Sequence, residues 1–138
     1  MCSIFAACDK LPANGDLDGM WQVMEIEHNG EVKNMQMERV YMSIQLKLFE
    51  LTDVQEVAAS RFYGYFEHKG DSLKLWQFSR YSHNETAADD NIPFTENELP
   101  ILNKWGFYSL KESFKVEKLT KDLLIIKSDS ARIKYIKF

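Results

Sequence analysis

The stretch DGMWQV, residues 18–23, opens a run in which apolar and polar residues alternate. Alternation with a period of two is typical of a half-buried β-strand, and it predicts a first strand over residues 19–27. The pair Asn29-Gly30 follows and predicts a tight hairpin turn, because both residues tolerate a positive φ. A Gly two residues before Trp21 is a weak motif by itself, so its meaning depends on what the rest of the chain builds.

The composition is that of a globular domain with a bias toward strands. The 138 residues are enough for one domain with one core, and the aromatic content of 13% favours a pleated, half-buried surface. The net charge of −4, without a basic patch, argues against a nucleic-acid partner. Both cysteines, Cys2 and Cys8, lie in the first eight residues, so the remaining chain has no disulfide framework and no thiolate metal site.

Period-two patterns continue through most of the chain and predict about eight strands. After the first strand, they are expected over residues 32–37, 39–51, 58–69, 72–79, 113–119, 123–127 and 131–138. A long polar loop separates two groups of strands, and Thr95-x-x-Glu98 resembles a capping box before a short helix or 3₁₀ turn that Gly106 ends. Short links between strands predict antiparallel neighbours, and the fold class is all-β. An up-and-down barrel or a sandwich satisfies this pattern, and a closed barrel has the advantage of leaving no exposed edge.

One face of two predicted strands is apolar and is expected to point into the barrel. Gly64, inside one of these strands, predicts a bulge or sharp bend. Ligand pockets are mostly apolar with a few polar anchors, so this face predicts a barrel lining that contacts a ligand. The same side chains can equally fill a small barrel as packed core, and both interpretations stay open. The predicted lining consists of Val40, Met42, Ile44, Leu46, Phe62 and Phe66.

The N-terminus has the pattern of a bacterial lipoprotein signal. In Phe5-Ala6-Ala7-Cys8, a bulky apolar residue and two small residues precede a cysteine, and in such signals cleavage leaves the cysteine to carry the lipid. This predicts that residues 1–17 are a truncated signal remnant and tether, that Cys8 is lipidated, and that residues 18–138 form the barrel domain. The alternative is a cytosolic protein with an apolar N-terminus and two free thiols.

Gly19-x-Trp21 at the start of the first strand, with Arg132 on the last, resembles the lipocalin signature. More specifically, residues 18–138 resemble the short lipocalin-like domains of Gram-negative envelope lipoproteins. The resemblance implies a barrel of about eight antiparallel strands in which Trp21 seals the closed end. It also implies that a cation on the last strand packs over the indole, with Arg132 as the first candidate and Lys134 as the second.

No motif of an enzyme or a metal site appears. The three histidines are scattered, and neither a Gly-x-Ser-x-Gly nor a phosphate-binding glycine loop is present. We therefore expect no catalytic residues, no metal and no cofactor. The leading hypothesis is a lipid-anchored protein of the cell envelope, on the outer membrane or its periplasmic face, that binds a small hydrophobic or amphipathic ligand non-covalently. The alternative is a filled barrel that acts as a protein-interaction module of an envelope complex through Tyr63, Tyr65 and the long polar loop.

Overall fold

The fold is an antiparallel sheet that closes on itself. The computed structural model describes residues 14–55, 60–81 and 91–138. The strands within these ranges are β1 (Gly19–His28), β2 (Glu31–Asn34), β3 (Val40–Gln45), β4 (Leu48–Asp53), β5 (Ser60–Lys69), β6 (Ser72–Tyr81), β7 (Asn91–Pro93), β8 (Lys111–Leu119), β9 (Leu123–Lys127) and β10 (Ala131–Lys137). The predictions for Cys2, Cys8 and the centre of the long polar loop lie outside the described residues.

Eight of these strands form the barrel wall. Their order is β1-β3-β4-β5-β6-β8-β9-β10, and β10 pairs with β1 to close the ring. Two short strands lie beside this wall. β2 pairs with the second half of β1, and β7 pairs with the end of β6. The predicted all-β, eight-stranded antiparallel barrel is thereby confirmed, and a sandwich is ruled out because the first and last strands hydrogen-bond to each other.

The predicted long strand over residues 39–51 is wrong, since a hairpin divides it into β3 and β4. The chain reverses at Leu46, which has a φ of 57° and a 65% exposed side chain. The reversal shifts the alternation by one residue, so Phe49 faces the core and Leu48 faces outward. The alternation of apolar and polar residues did not indicate this turn, because neither Leu46 nor Lys47 is a usual turn residue.

The bend predicted at Gly64 is present in the pairing of β5 with β6. Between the pairs Tyr63↔Ser79 and Tyr65↔Trp76, β5 contributes only Gly64 while β6 contributes two residues. The extra residue changes which face of β6 points inward, so Leu75 and Phe78 are both buried although they are three residues apart. This explains why the apolar residues of β6 show no single inward face in the sequence.

A short helical segment, residues 96–105, lies across the end of the barrel opposite Gly19. It consists of 3₁₀ turns Glu96–Glu98 and Asn103–Trp105 on either side of a helical turn, α1 (Leu99–Leu102). At its start the Glu98 carboxylate accepts a hydrogen bond from the Thr95 N–H at 2.9 Å, as a capping box requires. At its end Gly106 has a φ of 88°, and the chain turns back toward the barrel. The predicted short helix, its capping box and its stop at Gly106 are confirmed.

The helical segment and the turn after it send three large side chains into the barrel. We call Leu102, Trp105 and Phe107 the plug residues, and each is at most 1% exposed. The Phe107 ring contacts Phe78 and Phe114 at centroid distances of 5.6 and 5.7 Å. Because the plug residues belong to the same core cluster as the inward side chains of the strands, side chains fill the barrel interior.

Gly64→Ala is expected to destabilise the barrel by about 1–3 kcal/mol, the range for overpacking a dense core. A Cβ atom at this position would lie 2.6 Å from the Phe49 ring and 2.8 Å from the Trp76 carbonyl oxygen. Gly30→Ala is a useful contrast, since its Cβ would meet open space and the cost comes only from the positive φ, about 1 kcal/mol. Urea unfolding measures both variants, and a Gly64→Ala protein as stable as the wild type would contradict the packing described for this bend.

Candidate functional site

The end of the barrel near Gly19 is closed by Trp21. Its side chain is fully buried, and its indole N–H donates to the Leu17 carbonyl at 2.8 Å, which holds the 3₁₀ turn Gly15–Leu17 across this end. Lys137 lies over the indole, with its Nζ 4.7 Å from the ring centroid, and donates to the Asp16 carbonyl at 2.8 Å. The predicted sealing role of Trp21 agrees with this geometry.

The prediction that Arg132 covers Trp21 is wrong. The register of β1 with β10 pairs Trp21 with Lys137, whereas Arg132 pairs with Glu27 at the other end of the strands. Arg132 is instead half exposed and forms an ion pair with Glu117 at 2.7 Å. That bond lowers the pKa of the Glu117 carboxyl and raises the pKa of the guanidinium. The second candidate, Lys134, pairs with Glu25 and also does not reach the indole.

Glycine is required at position 19 by the local backbone conformation and by the nearby side chain of Lys137. Its φ of 130° is one that side chains rarely permit, and a Cβ atom would lie 3.2 Å from the Lys137 side chain. A glycine two residues before the tryptophan therefore gives the lysine room to reach across the indole.

Five of the six residues predicted to line the barrel do face its interior. Val40, Met42 and Ile44 on β3, with Phe62 and Phe66 on β5, are all buried in the core cluster. Phe62 also meets the Trp105 ring edge to face at 5.7 Å, so these lining residues pack against the plug residues. Leu46 was predicted wrongly, because it occupies the β3–β4 turn and faces solvent. Whether a ligand contacts the five buried residues stays a prediction.

A groove of about 430 Å³ lies at the plugged end, between the β1–β2 hairpin and the end of the helical segment. We call it the rim groove. Its volume is within the range of about 300–1,000 Å³ typical of small-molecule sites. Its lining residues are Ile26, His28, Glu31, Lys33, Met35, Asn103, Lys104 and Tyr108.

Two stacked rings form one wall of the rim groove. The His28 and Tyr108 rings lie 3.8 Å apart and within 8° of parallel. His28 Nδ1 lies 2.7 Å from the Ser130 carbonyl oxygen, and since a carbonyl only accepts, Nδ1 carries a proton. Nε2 then accepts from the Asn29 amide at 3.1 Å. Because both ring nitrogens are hydrogen-bonded, the His28 ring is held parallel to the Tyr108 ring. Partial burial raises the pKa of the Tyr108 hydroxyl.

The floor of the rim groove is apolar and its edges are charged. Ile26 and Met35 are almost fully buried beneath it. Lys33 on β2 is exposed at the edge, and Lys104 forms an ion pair with the buried Asp53 at the end of β4. Glu31 adds one negative charge near Lys33. The groove therefore offers apolar contact, an aromatic wall and separate charges of both signs.

The sequence matches a family model, described as a lipocalin-like domain, over residues 3–138. The chain belongs to the lipocalin-like domain family. Among proteins with curated functions, no sequence is similar enough to match it.

Two solved structures share the fold of this lipocalin-like domain. One is a lipocalin-like protein from Bacteroides uniformis, with a TM-score of 0.63, 20% identity, and coverage of 90% of this chain and 100% of that one. The other is an uncharacterized protein from Bacteroides eggerthii, with a TM-score of 0.62, 23% identity, and coverage of 88% and 99%. At these identities the likeness concerns the fold, and it extends over nearly the whole length of both relatives.

The lipocalin-like domain also buries a carboxylate inside its barrel. Glu112, on β8, is only 5% exposed, and its Oε2 accepts from the Tyr108 N–H at 2.7 Å. Burial raises the pKa of this carboxyl above its ordinary value, and hydrogen bonds from the backbone of Tyr108 and Ser109 partly oppose that change. The sequence did not single out Glu112, because the predicted strand begins at residue 113 whereas β8 begins at Lys111. The signal was available, since Glu112 is spaced two residues from the inward-facing Phe114.

Within residues 14–55, 60–81 and 91–138, no group of three or more His, Cys, Asp or Glu side chains is placed to hold a metal ion. Within the same ranges, no helix has the length and apolar character needed to cross a membrane.

Replacing Lys137 by Met is expected to destabilise the domain by about 1–2 kcal/mol, since it removes the cation over Trp21 and the bond to the Asp16 carbonyl. Arg132→Met removes only an exposed ion pair, so its free energy of unfolding is expected to stay within about 0.5 kcal/mol of the wild-type value. Methionine keeps an apolar stem in both variants. Thermal unfolding compares the two variants. An equal or larger loss of stability in Arg132→Met than in Lys137→Met would contradict the assignment of Lys137 to the indole.

Proposed function

We propose that this lipocalin-like domain is a non-enzymatic binding protein that takes one small amphipathic molecule in the rim groove. The observation that carries the proposal is the groove itself, which combines about 430 Å³ with an apolar floor and charged edges. Membership of the lipocalin-like family supports a binding role in general, and the chemistry of the groove supports the amphipathic class.

The apolar part of the ligand lies on the groove floor. Ile26 and Met35 provide aliphatic and thioether surface, and Met adapts to differently shaped ligands because its side chain is flexible and polarizable. The Tyr108 ring adds an aromatic wall. Burial of apolar ligand surface stabilises the complex by roughly 25 cal/mol per Å² before the cost of ordering the ligand.

The polar end of the ligand is an anion, and Lys33 is its partner. Lys33 stands at the edge of the groove, whereas Lys104 is already paired with Asp53. An ammonium at an exposed edge gives a modest electrostatic contribution that orients the ligand more than it adds affinity. A carboxylate with an alkyl or aromatic body matches both parts of the groove.

The predicted lining of the barrel has a supporting role in this proposal. Val40, Met42, Ile44, Phe62 and Phe66 are packed against one another and against the plug residues. They hold the helical segment in place, and that segment supplies one side of the rim groove. A ligand deeper in the barrel would first require the plug residues to move.

The rim-groove proposal predicts saturable, micromolar binding of dodecanoate by isothermal titration calorimetry. Lys33→Gln is expected to weaken this binding by about threefold to fivefold, since it removes the cation at the edge. Tyr108→Ala is expected to weaken it by about tenfold, because the aromatic wall is lost.

Lys118→Gln is the matched control, because it removes an exposed lysine from β8, away from the groove lining. It should leave dodecanoate affinity unchanged. Absence of saturable dodecanoate binding, or equal weakening by Lys118→Gln and Lys33→Gln, would contradict the assignment of the groove.

We further propose that the protein is anchored through a lipid on Cys8 and resides in the cell envelope. The support is the Phe5-Ala6-Ala7-Cys8 pattern and the family resemblance. When the protein is expressed from its own gene in its own host with a labelled fatty acid, the label is expected on the wild type and absent from Cys8→Ala. An unlabelled wild type would refute the anchor and leave the rim groove unaffected.

Interaction with another envelope protein is a second candidate function. It is favoured by an outward row in which Leu48, Tyr65 and Trp76 are paired across three strands, while side chains fill the interior. Tyr65 is 40% exposed on this row, whereas Tyr63, its predicted companion, is buried. A photoreactive residue at position 65 should give a discrete cross-linked product in intact cells, and one at the outward-facing Lys74 should not. Equal labelling from both positions would remove this candidate.

A further inference from the structure

A second groove lies on the outer face of the barrel, across β6, β8 and β9. Its volume is about 510 Å³, and it shares no lining residue with the rim groove. Two lysines from neighbouring strands lie in it, so we call it the lysine groove. Its lining residues are Asp71, Ser72, Ser113, Phe114, Lys115, Lys127, Ser128 and Asp129.

The register of the strands brings the cations of this surface together. Lys115 on β8 is paired directly with Lys127 on β9, and Lys127 is paired directly with Arg132 on β10. Residues directly opposite each other in an antiparallel pair have Cβ atoms about 4.5–5.5 Å apart, and like charges at that spacing destabilise the sheet. A row of three cations across three strands therefore costs stability unless an anion lies between them.

The carboxylates of the protein neutralise only one member of this row. Glu117 forms an ion pair with Arg132 at 2.7 Å. In the part of the chain that the structure describes, neither Lys115 nor Lys127 forms an ion pair. Both lysine side chains are exposed, so their ammonium groups are available to a ligand.

Two serine hydroxyls lie beside the lysines. Ser72 on β6 is paired directly with Lys115, and Ser113 precedes Lys115 by two residues on the same face of β8. Among the described residues, neither hydroxyl has a hydrogen-bond partner, whereas Ser128 Oγ already accepts from two backbone N–H groups of its own turn at 3.1 Å. Two ammonium groups and two available hydroxyls are the kind of donor set to which a phosphate group binds.

The distribution of charge along the chain is also uneven. Residues 111–138 carry eight Lys or Arg and four Asp or Glu, whereas residues 1–110 carry nine and seventeen. Within the lysine groove, however, Asp71 lies in the turn before β6 and Asp129 in the turn before β10. Two carboxylates on the lining disfavour a polyanion such as a nucleic acid. They favour a compact ligand that carries a positive group beside its phosphate.

We propose that the lysine groove binds a phosphate ester of an amino alcohol. The phosphate lies between Lys115 and Lys127 and accepts hydrogen bonds from the two serine hydroxyls. The ammonium group of the ligand faces a carboxylate at the border of the groove. A simple carboxylate ligand matches this donor set less well, because it offers two oxygens and a single charge. The site depends neither on the rim groove nor on the lipid anchor.

Titration with O-phosphoethanolamine, followed through the backbone amide signals in NMR spectra, tests the site. Saturable shifts are expected at the residues that line the lysine groove. Lys127→Gln is expected to weaken the binding by about fivefold, because one of the two cations is lost. Lys118→Gln is the matched control, since it removes an exposed lysine of β8 that has Ile125 opposite it and lies outside the groove lining. It should leave the affinity unchanged.

Thermal unfolding at low ionic strength provides a readout that needs no ligand. Lys127→Gln removes the like charge opposite Lys115 and Arg132, so its melting temperature is expected to lie about 1–3 °C above that of the wild type. Salt at roughly 0.1 M should reduce this difference, because it screens the repulsion. Lys118→Gln should not raise the melting temperature. A Lys127→Gln protein that melts at or below the wild-type temperature would contradict the repulsive row.

Vesicles identify the source of the phosphate ester. Binding of O-phosphoethanolamine, together with sedimentation on phosphatidylcholine vesicles that contain phosphatidylethanolamine and its loss in Lys127→Gln, assigns the groove to a lipid headgroup. Binding of O-phosphoethanolamine without sedimentation assigns it to a soluble ester. Equal affinity for glycerol 3-phosphate would contradict the requirement for an amino group. No saturable binding of O-phosphoethanolamine, or equal weakening by Lys118→Gln and Lys127→Gln, overturns the proposal.

Discussion

Burial of the Trp105 side chain fixes the helical segment across one end of the barrel. Its indole N–H donates to the Tyr41 carbonyl at 3.0 Å, so the largest side chain of the helical segment enters the core without an unpaired polar atom. Gly106 then reverses the chain at a position where a Cβ atom would lie 2.7 Å from Ile133. That reversal brings Phe107 into the core, where its ring contacts Phe78 and Phe114, and with Trp105 it closes the end of the barrel opposite Trp21.

Closure at both ends directs our ligand proposal to the surface of the barrel. Because aromatic and aliphatic side chains fill the interior, the proposed site is the rim groove between the β1–β2 hairpin and the helical segment. Glu112 is nevertheless buried in this interior, where the Tyr108 N–H donates a hydrogen bond to its carboxylate. Because an unpaired buried carboxylate costs free energy, this bond helps the core to tolerate it.

Local patterns predicted much of this fold, and long-range register accounts for most of what they missed. Alternation located the strands, and Gly19-x-Trp21 indicated the sealed end, because both depend on neighbouring residues. The turn at Leu46 was missed since its residue type carries no turn signal. Lys137 could not be chosen over Arg132 because the choice depends on how the first and last strands align. The rim groove joins residues from both halves of the chain, and no spacing in the sequence reports that proximity.

Native-state hydrogen exchange tests whether the plug residues are a permanent part of the core. The two reporters are the Trp105 indole N–H and the Phe107 amide, which donates to the Leu102 carbonyl at 3.1 Å. We expect both to exchange only through global unfolding, with the same free energy as the amide of Val23 in β1. Exchange of the two reporters at a much lower free energy, while Val23 stays protected, would show that the helical segment opens as a lid and would contradict a filled barrel.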